Sequence, residues 1–391
     1  MDLLGENRKK EKTKNQKLVL GLLITSIILL VLTVSLIAFF IITKPQTPKI
    51  VKLKINNADV ETSQDFLVTT TNGEYYIELK ELAQKLDYTY YNGAYLEFSE
   101  NKEKCYIDNG LEIIGMEKDS KNIYKTAVNN TQGYQYFEIS RDILYYNDKL
   151  YVNALDLPVA LNLIVENGSI NTVEKLAEDY KDKITKKGYS SIDSNKNNLK
   201  AIAYNLIVVN KDSKKGIINR NLEEIVGTKY NSMEFIELAN DFIVSSNNKY
   251  GIIKTNGETK VKLIYDDIKI LSYSPLLYVV KKDNKFGIIN EEGDIIADTT
   301  YDKIGYDANK QLNIENTIII PEIVEGVGKT IVVSIDKKYG LIDIDKKAPI
   351  LDCIFEAIYI SNVDGTINYV LKQNGNEYNL LDYMEYAKTR I

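Results

Sequence analysis

The chain has 391 residues, 44% of them hydrophobic, with 29 Tyr but no histidine and no tryptophan. The absence of histidine excludes His-dependent triads, Cys–His nucleophiles and His-ligated zinc within one chain. The net charge of −6 is uneven: the first seventeen residues hold six Lys/Arg against Asp2, Glu6 and Glu11, leaving −9 on the rest. An acidic body argues against nucleic-acid binding, which needs clustered cations.

From Leu18 to Thr43 run 26 uncharged residues, bracketed by Lys17 and Lys44. At about 1.5 Å per residue, such a helix crosses a hydrocarbon layer of roughly 30 Å. The run exceeds the roughly 7–15 residues of a signal-peptide core, and no small-x-small cleavage pattern follows it. Residues 18–43 are therefore expected to be an uncleaved, single-pass transmembrane helix. The basic stretch Arg8 to Lys12 assigns residues 1–17 to the cytoplasm as a basic tail. Lys44, Lys49, Lys52 and Lys54 on the other flank reduce that bias. The expected location is the cell membrane, with the bulk of the chain extracytoplasmic.

Lys44 to Pro48 reads as a spacer, and a first α+β domain is expected over residues 49–165. It carries two copies of one pattern, 75 residues apart, beginning at Tyr76 and Tyr151. In each, a β-rich dipeptide leads into apolar residues at helical spacing: Leu79, Leu82, Ala83 and Leu86, then Ala154, Leu157 and Leu161. Turn signals precede them at Asn72-Gly73 and Asn147-Asp148. Between the copies, Ala94 to Phe98 and Tyr134 to Ile139 alternate as strands. These strand-then-helix units resemble the stalk domain related to the N-terminal domain of copper amine oxidases, found in bacterial surface proteins. Glu78-Leu79-Lys80 stands where that family has Pro-Leu-Arg. The resemblance implies a spacer or surface module and no copper, which a chain without histidine is poorly equipped to hold.

Residues 171–188 read as an amphipathic helix with Val173, Leu176, Ala177, Tyr180 and Ile184 on one face. Asn171 or Thr172 caps its start and Gly188 ends it. The polar stretch at 189–198 reads as a linker.

Residues 199–391 form a β-repeat domain of about five units. The core phrase, an aromatic followed by Gly-Ile-Ile, occurs at Tyr250–Ile253 and Phe286–Ile289, at Tyr339–Ile342 with Leu341 for the first isoleucine, and at Lys215–Ile218 with Lys215 replacing the aromatic. A frayed copy is read at Tyr378–Leu381, with Asn379 standing in for glycine at positive φ. The intervals are 35, 36, 53 and 39 residues, the long one containing an insertion around Gln311 to Gly328. Apolar strands precede each phrase. Turns such as Asn247-Asn248, Asp283-Asn284 and Asn256-Gly257 punctuate it, and endings such as Ile264-Tyr265-Asp266-Asp267-Ile268 close it. Strand and tight turn in alternation predict antiparallel meanders that must stack to bury their faces, with the aromatic filling the space between units and the glycine letting neighbouring backbone approach closely. Ile207 to Asp382 resembles the WG-repeat family, whose namesake Trp is here Tyr250, Phe286 and Tyr339. That resemblance implies an interaction scaffold and no catalysis. Whether the array is a closed ring or an open solenoid does not follow from the pattern.

Gly326 to Thr330 ends like a phosphate-binding loop, but Ile323 stands at the first glycine position and Ile331 to Val333 read as a strand rather than a helix. Asp266-Asp267 and Glu291-Glu292 recur at turn positions, where solvated carboxylates are expected. Asp343 and Asp345 are followed by Lys346 and Lys347, which put cations where a calcium loop needs ligands. Tyr88, Tyr90, Tyr91, Tyr145 and Tyr146 are candidates for a sugar-stacking platform, although their period-two spacing favours packing. Cys105 and Cys353 form no metal motif and read as buried small hydrophobes. No catalytic, cofactor-binding or metal-ligating residue is assigned, and no cofactor is expected. The expected function is a membrane-anchored, extracytoplasmic, non-enzymatic binding or scaffold protein for another protein or a cell-wall polymer. The alternative is a sensor or regulatory subunit of a membrane complex.

Overall fold

The computed structural model describes residues 53–95, 100–126, 134–305, 322–324, 327–363 and 366–388. The expected transmembrane segment 18–43, its basic tail and most of the insertion around Gln311 to Gly328 lie outside the described residues, as do residues 96–99 of one expected strand. Among the described residues, no helix is long and apolar enough to cross a membrane.

In the N-terminal domain the two sequence copies pair with each other. Tyr75–Glu78 and Lys149–Asn153 are the antiparallel centre of a four-stranded sheet, with Tyr151 opposite Glu78 and Val152 opposite Ile77. Leu67–Thr69 and Leu144–Tyr146 flank them. Each central strand turns directly into a helix because the residue at the equivalent position caps it. Glu78 accepts from the Lys80 and Glu81 amides to start α1 (Leu79–Lys85). Asn153 accepts from the Leu155 amide to start a 3-10 turn that leads into α2 (Leu157–Leu161). The next acid in each copy secures the loop before the flanking strand: the Ser63 amide donates to Glu81 at 2.9 Å and the Ser140 amide to Asp156 at 2.7 Å.

A five-stranded meander follows in the order Thr89–Asn92, Lys104–Asp108, Ile113–Glu117, Asn122–Thr126, Gln135–Glu138. Its inner face packs Cys105, Ile107, Ile114, Met116 and Ile123 against α1 and the first sheet. The domain closes later than the expected boundary at residue 165. Ser169–Thr172 pairs antiparallel with Leu163–Glu166 and parallel with Lys54–Ile55, tying the end of the domain to its beginning. Thr172 then caps α3 (Val173–Lys186), which lays Val173, Leu176, Tyr180 and Ile184 into the core, and Gly188 (φ +88°) follows its end.

Residues 189–198, expected to be a linker, are built into the array instead. Ser191–Ile192 is the first strand of the first repeat sheet, pairing with Val209 and Asn210. Asn195 caps α4 (Lys196–Lys200), and Asp193 and Asn198 are buried. Asp193 and Asn198 are thus spent on capping and pairing, while Ser190, Ser191, Ser194, Asn195 and Lys196 remain exposed.

Among the described residues the array is mostly antiparallel β-sheet in five consecutive meanders. Sheet boundaries fall inside the sequence repeats. Tyr265 ends the fourth strand of the second sheet (Ser232–Ile236, Asp241–Ser246, Lys249–Lys254, Thr259–Tyr265), and Asp267–Tyr273 opens the third. The first three sheets thus have four strands, one more than the sequence unit, the fourth has five and the last three. The first turn of each unit is built from two residues at positive φ: Asn247 and Asn248 in the second sheet, Asp283 and Asn284 in the third, Asp336 and Lys337 in the fourth. That is the hairpin geometry matching strand twist.

The Gly-Ile-Ile phrase carries the stacking. Neighbouring strand residues point to opposite faces. The first Ile of each phrase (Ile217, Ile252, Ile288, with Leu341 in the fourth) faces the following sheet, and the second (Ile253, Ile289, Ile342) faces the preceding one. In the first sheet the second isoleucine, Ile218, faces α3 instead. All eight side chains are buried, each worth about 1.5–3 kcal/mol when fully removed from water. Tyr250, Phe286 and Tyr339 pack against the cluster toward the following sheet, as the pattern implied. With α3 over the first sheet and each later sheet packed on its predecessor, the array is an open stack.

Two expectations about the repeats are corrected. The core glycines do not take positive φ. The last strand of each full sheet carries register shifts opposite the phrase, and its bulged backbone passes over the glycine. A Cβ on Gly251 would lie 2.5 Å from the Val261 carbonyl oxygen. The frayed copy is also shifted by one residue. Counting from its hairpin, Glu377 takes the aromatic position, Tyr378 the glycine position and Leu380 that of the inward second isoleucine. There the chain becomes α5 (Leu380–Lys388) in place of a last strand, so no bulge demands glycine.

Candidate functional site

The residues that suggested chemistry are spent on structure. At each crossover between sheets, one residue donates its amide to the second strand of the next sheet: Asn231 to Ser245, Asp266 to Lys281, Asp302 to Ser334 and Glu356 to Lys372, at 2.7–2.8 Å. The Asp266 carboxylate then accepts from the Asp283 amide at 2.8 Å and pairs with Lys249; Asp302 accepts from Asp336 at 2.7 Å and pairs with Lys285. Hydrogen bonds from those lysines hold both carboxyls below their ordinary range. Glu291 and Glu292 stand in the turn closed by Gly293 (φ +87°). Asp343 accepts from the Lys346 amide at 2.9 Å and pairs with its ammonium. Gly328–Ile335 is a strand, and Gly326 lies outside the described residues. Lys215, which replaces the aromatic in the first repeat, pairs with buried Asp193. Among the described residues no three His, Cys, Asp or Glu side chains gather as metal ligands. Cys105 and Cys353 are free, and burial pushes the Cys105 thiol up to about 12.

Two features remain. The first is the outer face of the five-stranded sheet. Register places Tyr91 opposite Tyr106, Tyr106 opposite Gly115, Gly115 opposite Tyr124 and Tyr124 opposite Tyr136, a single row across all five strands. Tyr91 stacks on Tyr106 with centroids 4.5 Å apart, and Tyr95 meets Tyr106 edge-on. Tyr124 lies over Gly115, where a Cβ would fall 1.9 Å from its ring, and its hydroxyl receives the Tyr95 amide at 3.0 Å. Tyr134 meets Tyr124 edge-on and lies beside Tyr136. Tyr136 is 58% and Tyr91 46% exposed, whereas Tyr106 and Tyr124 between them are half-buried and Gly115 is buried, so the row is most open at its two ends. Of the tyrosines singled out in the sequence, only Tyr91 belongs to this face. Tyr88, Tyr90 and Tyr145 pack against the core, and Tyr146 against Val68, Tyr76 and Tyr151.

The second feature is a buried ion cluster where the domain meets the array. Glu112 and Lys125 come from the N-terminal domain, Lys200 from α4 and Glu237 from the segment after Ser232–Ile236. Lys125 lies 3.5 Å from Glu112 and pairs with Glu237; Lys200 pairs with Glu112 and lies 3.5 Å from Glu237. Asn162 donates to Glu112 at 2.8 Å and the Tyr204 hydroxyl to Glu237 at 2.9 Å. Burial pushes the Glu112 carboxyl up, but Lys125 and Lys200 outweigh it and hold it below its ordinary value. Burial opposes the charge on Lys200, yet Glu112 and Glu237 raise it above the ordinary lysine value. A cleft of about 390 Å³ opens beside the cluster, bordered by Gln135, Asn197, Glu234, Lys269 and Tyr273. Sequence reasoning missed this cluster; its one signal was Lys125 standing two residues from Ile123, on the same inward face.

Together these features describe a β-repeat array welded to an α+β domain that bears an open aromatic sheet face. Residues 250–286 match the family described as WG containing repeat. They span one period, from Tyr250 of the second sheet to Phe286 of the third. No curated protein matches the chain. Among solved structures, Kluyveromyces lactis Hsv2 is similar at 8% identity over 78% of this chain and 85% of that one, with a TM-score of 0.20. A form described as KlHsv2 with loop 6CD replaced by a Gly-Ser linker is similar at 7% identity over 69% and 86%, with a TM-score of 0.22. The AfRom2 CNH domain is similar at 8% identity over 71% and 89%, with a TM-score of 0.18. These scores are too low to carry a statement about fold or function.

Proposed function

We propose that the protein is a non-enzymatic binding protein held at the outer side of the cell membrane by residues 18–43. In this reading the repeat array is the rigid scaffold, and the tyrosine face of the N-terminal domain is the contact surface for a wall polymer or another protein. The carrying observation is a contrast between sheets. In the array, the phrase isoleucines are buried on both faces of the sheets that have neighbours on both sides, whereas the five-stranded sheet buries one face and carries a tyrosine row on the other, with Tyr91 and Tyr136 exposed and Tyr106 and Tyr124 half-buried. Exposed aromatic rows mark interaction surfaces, because they offer large contact area with few torsions to freeze. The stalk-like pattern of the domain agrees with such a display role.

Protease added to intact spheroplasts is expected to digest the body, and isolated wall material to retain the full chain but release the Tyr91→Ala/Tyr136→Ala double variant. A protected body overturns the placement. Retention indifferent to both substitutions overturns the contact surface. Co-purification with an integral membrane protein, without wall retention, favours a sensor subunit instead.

A further inference from the structure

We propose that the tyrosine face binds an uncharged hexopyranose polymer, laid across the five strands along Tyr91, Tyr106, Gly115, Tyr124 and Tyr136. This rests on the reading of that face as the contact surface.

Three observations lead to this ligand class. The first is dimension. Neighbouring strands are about 4.8 Å apart, so the row advances one position per strand and extends on the order of 20 Å. A pyranose unit in an extended polymer occupies a similar step, so about four rings match the row. A compact ligand would use only part of it.

The second is preorganisation. The Tyr91–Tyr106 stack, the Tyr95 and Tyr134 edge contacts and the Tyr124 hydroxyl bond fix the rings before any ligand arrives. Gly115 lets Tyr124 lie down on the sheet. Little rotamer freedom is left to lose, which suits the weak individual stacking of sugar C–H faces on aromatic rings. The phenol hydroxyls supply donors and acceptors for sugar hydroxyls.

The third is charge. The same face is bordered by Asp108, Glu117 and Glu138, and its Lys104 is already paired with Glu117 at 3.4 Å. A single-stranded nucleic acid also stacks on aromatic platforms, but it needs a cationic groove for its phosphates, and here the border is acidic. An extended peptide binds at a sheet edge through free backbone groups. The row instead crosses strands whose backbones are paired.

The test is equilibrium binding of cellohexaose and chitohexaose to the detergent-solubilised full chain, followed by tyrosine emission, since no tryptophan competes. Oligothymidylate is run as the charged alternative. At least one hexasaccharide should bind saturably, and Tyr91→Ala and Tyr136→Ala should each weaken it roughly tenfold. Tyr75→Ala, half-exposed on the other sheet, should change nothing. Because Tyr91 and Tyr136 are already exposed, an unchanged thermal midpoint checks their fold. No binding of either hexasaccharide, or binding unaltered in both variants, overturns the proposal. Preferential binding of oligothymidylate through the same tyrosines also overturns it. If wall retention still depends on Tyr91 and Tyr136 while neither hexasaccharide binds, the ligand class fails and the contact surface stands.

Discussion

Gly216, Gly251, Gly287 and Gly340 are there for the methyl group they lack. A Cβ on any of them would meet a backbone carbonyl at 2.5–2.6 Å, and backbone in a bulged, hydrogen-bonded strand has little room to yield. Gly287→Ala should therefore destabilise the protein by about 1–3 kcal/mol or more, as overpacking does. Gly227→Ala, whose nearest neighbour is a Glu224 side-chain oxygen at 3.4 Å, should be near neutral. Denaturant midpoints of the two variants check this, and equal midpoints would refute the steric account. The same reasoning explains Tyr378 in the glycine position of the last unit, where no bulged strand follows.

Among elements, α5 shows how the array ends. Its first residue, Leu380, is fully buried against the fourth sheet, and Tyr383 packs edge-on against Phe355 at 5.1 Å. The neighbouring Asn379 occupies the position of Ile252, Ile288 and Leu341, which in other units faces a following sheet. A polar residue there fits the last member of a stack. Leu380→Ala is expected to cost about 2–5 kcal/mol by cavity formation, and Leu381→Ala, 40% exposed, much less. A Leu380→Ala loss no larger than that of its neighbour, measured by chemical denaturation, would show that α5 does not seal the array.

For the whole molecule, the buried Glu112–Lys125–Lys200–Glu237 cluster couples domain to array, so one cooperative unfolding transition is expected. Lys125→Met, which leaves Glu237 buried beside an apolar chain, should cost about 3–5 kcal/mol, and adding Glu237→Gln should restore part of it. The pH dependence follows from the two resolved shifts. Glu112 lies below its ordinary 4.5, so its contribution is present above that value and lost as pH falls through its folded one. Lys200 lies above its ordinary 10.5, so its contribution is present below that value and lost as pH rises through its folded one. Stability should thus form a neutral plateau falling at both ends, and Lys125→Met should flatten the acid limb. Two separate transitions in calorimetry would refute the coupling.

The repeat period, the hairpin turns, α3 with its Thr172 cap and Gly188 stop, and the two-faced Gly-Ile-Ile phrase were all legible along the chain. Each depends on residues a few positions apart, where strand parity, turn conformation and capping act locally. The one-strand offset between repeat and sheet, the tyrosine row and the buried ion cluster were not. The row needs five strands in one register, separated by loops whose lengths do not announce it. The cluster needs Glu112 and Lys125 brought against Lys200 and Glu237, 88 and 112 residues later in the chain. Sequence alone decided which side chains alternate; only tertiary structure decided what lies opposite them, because register is set by pairing between distant strands.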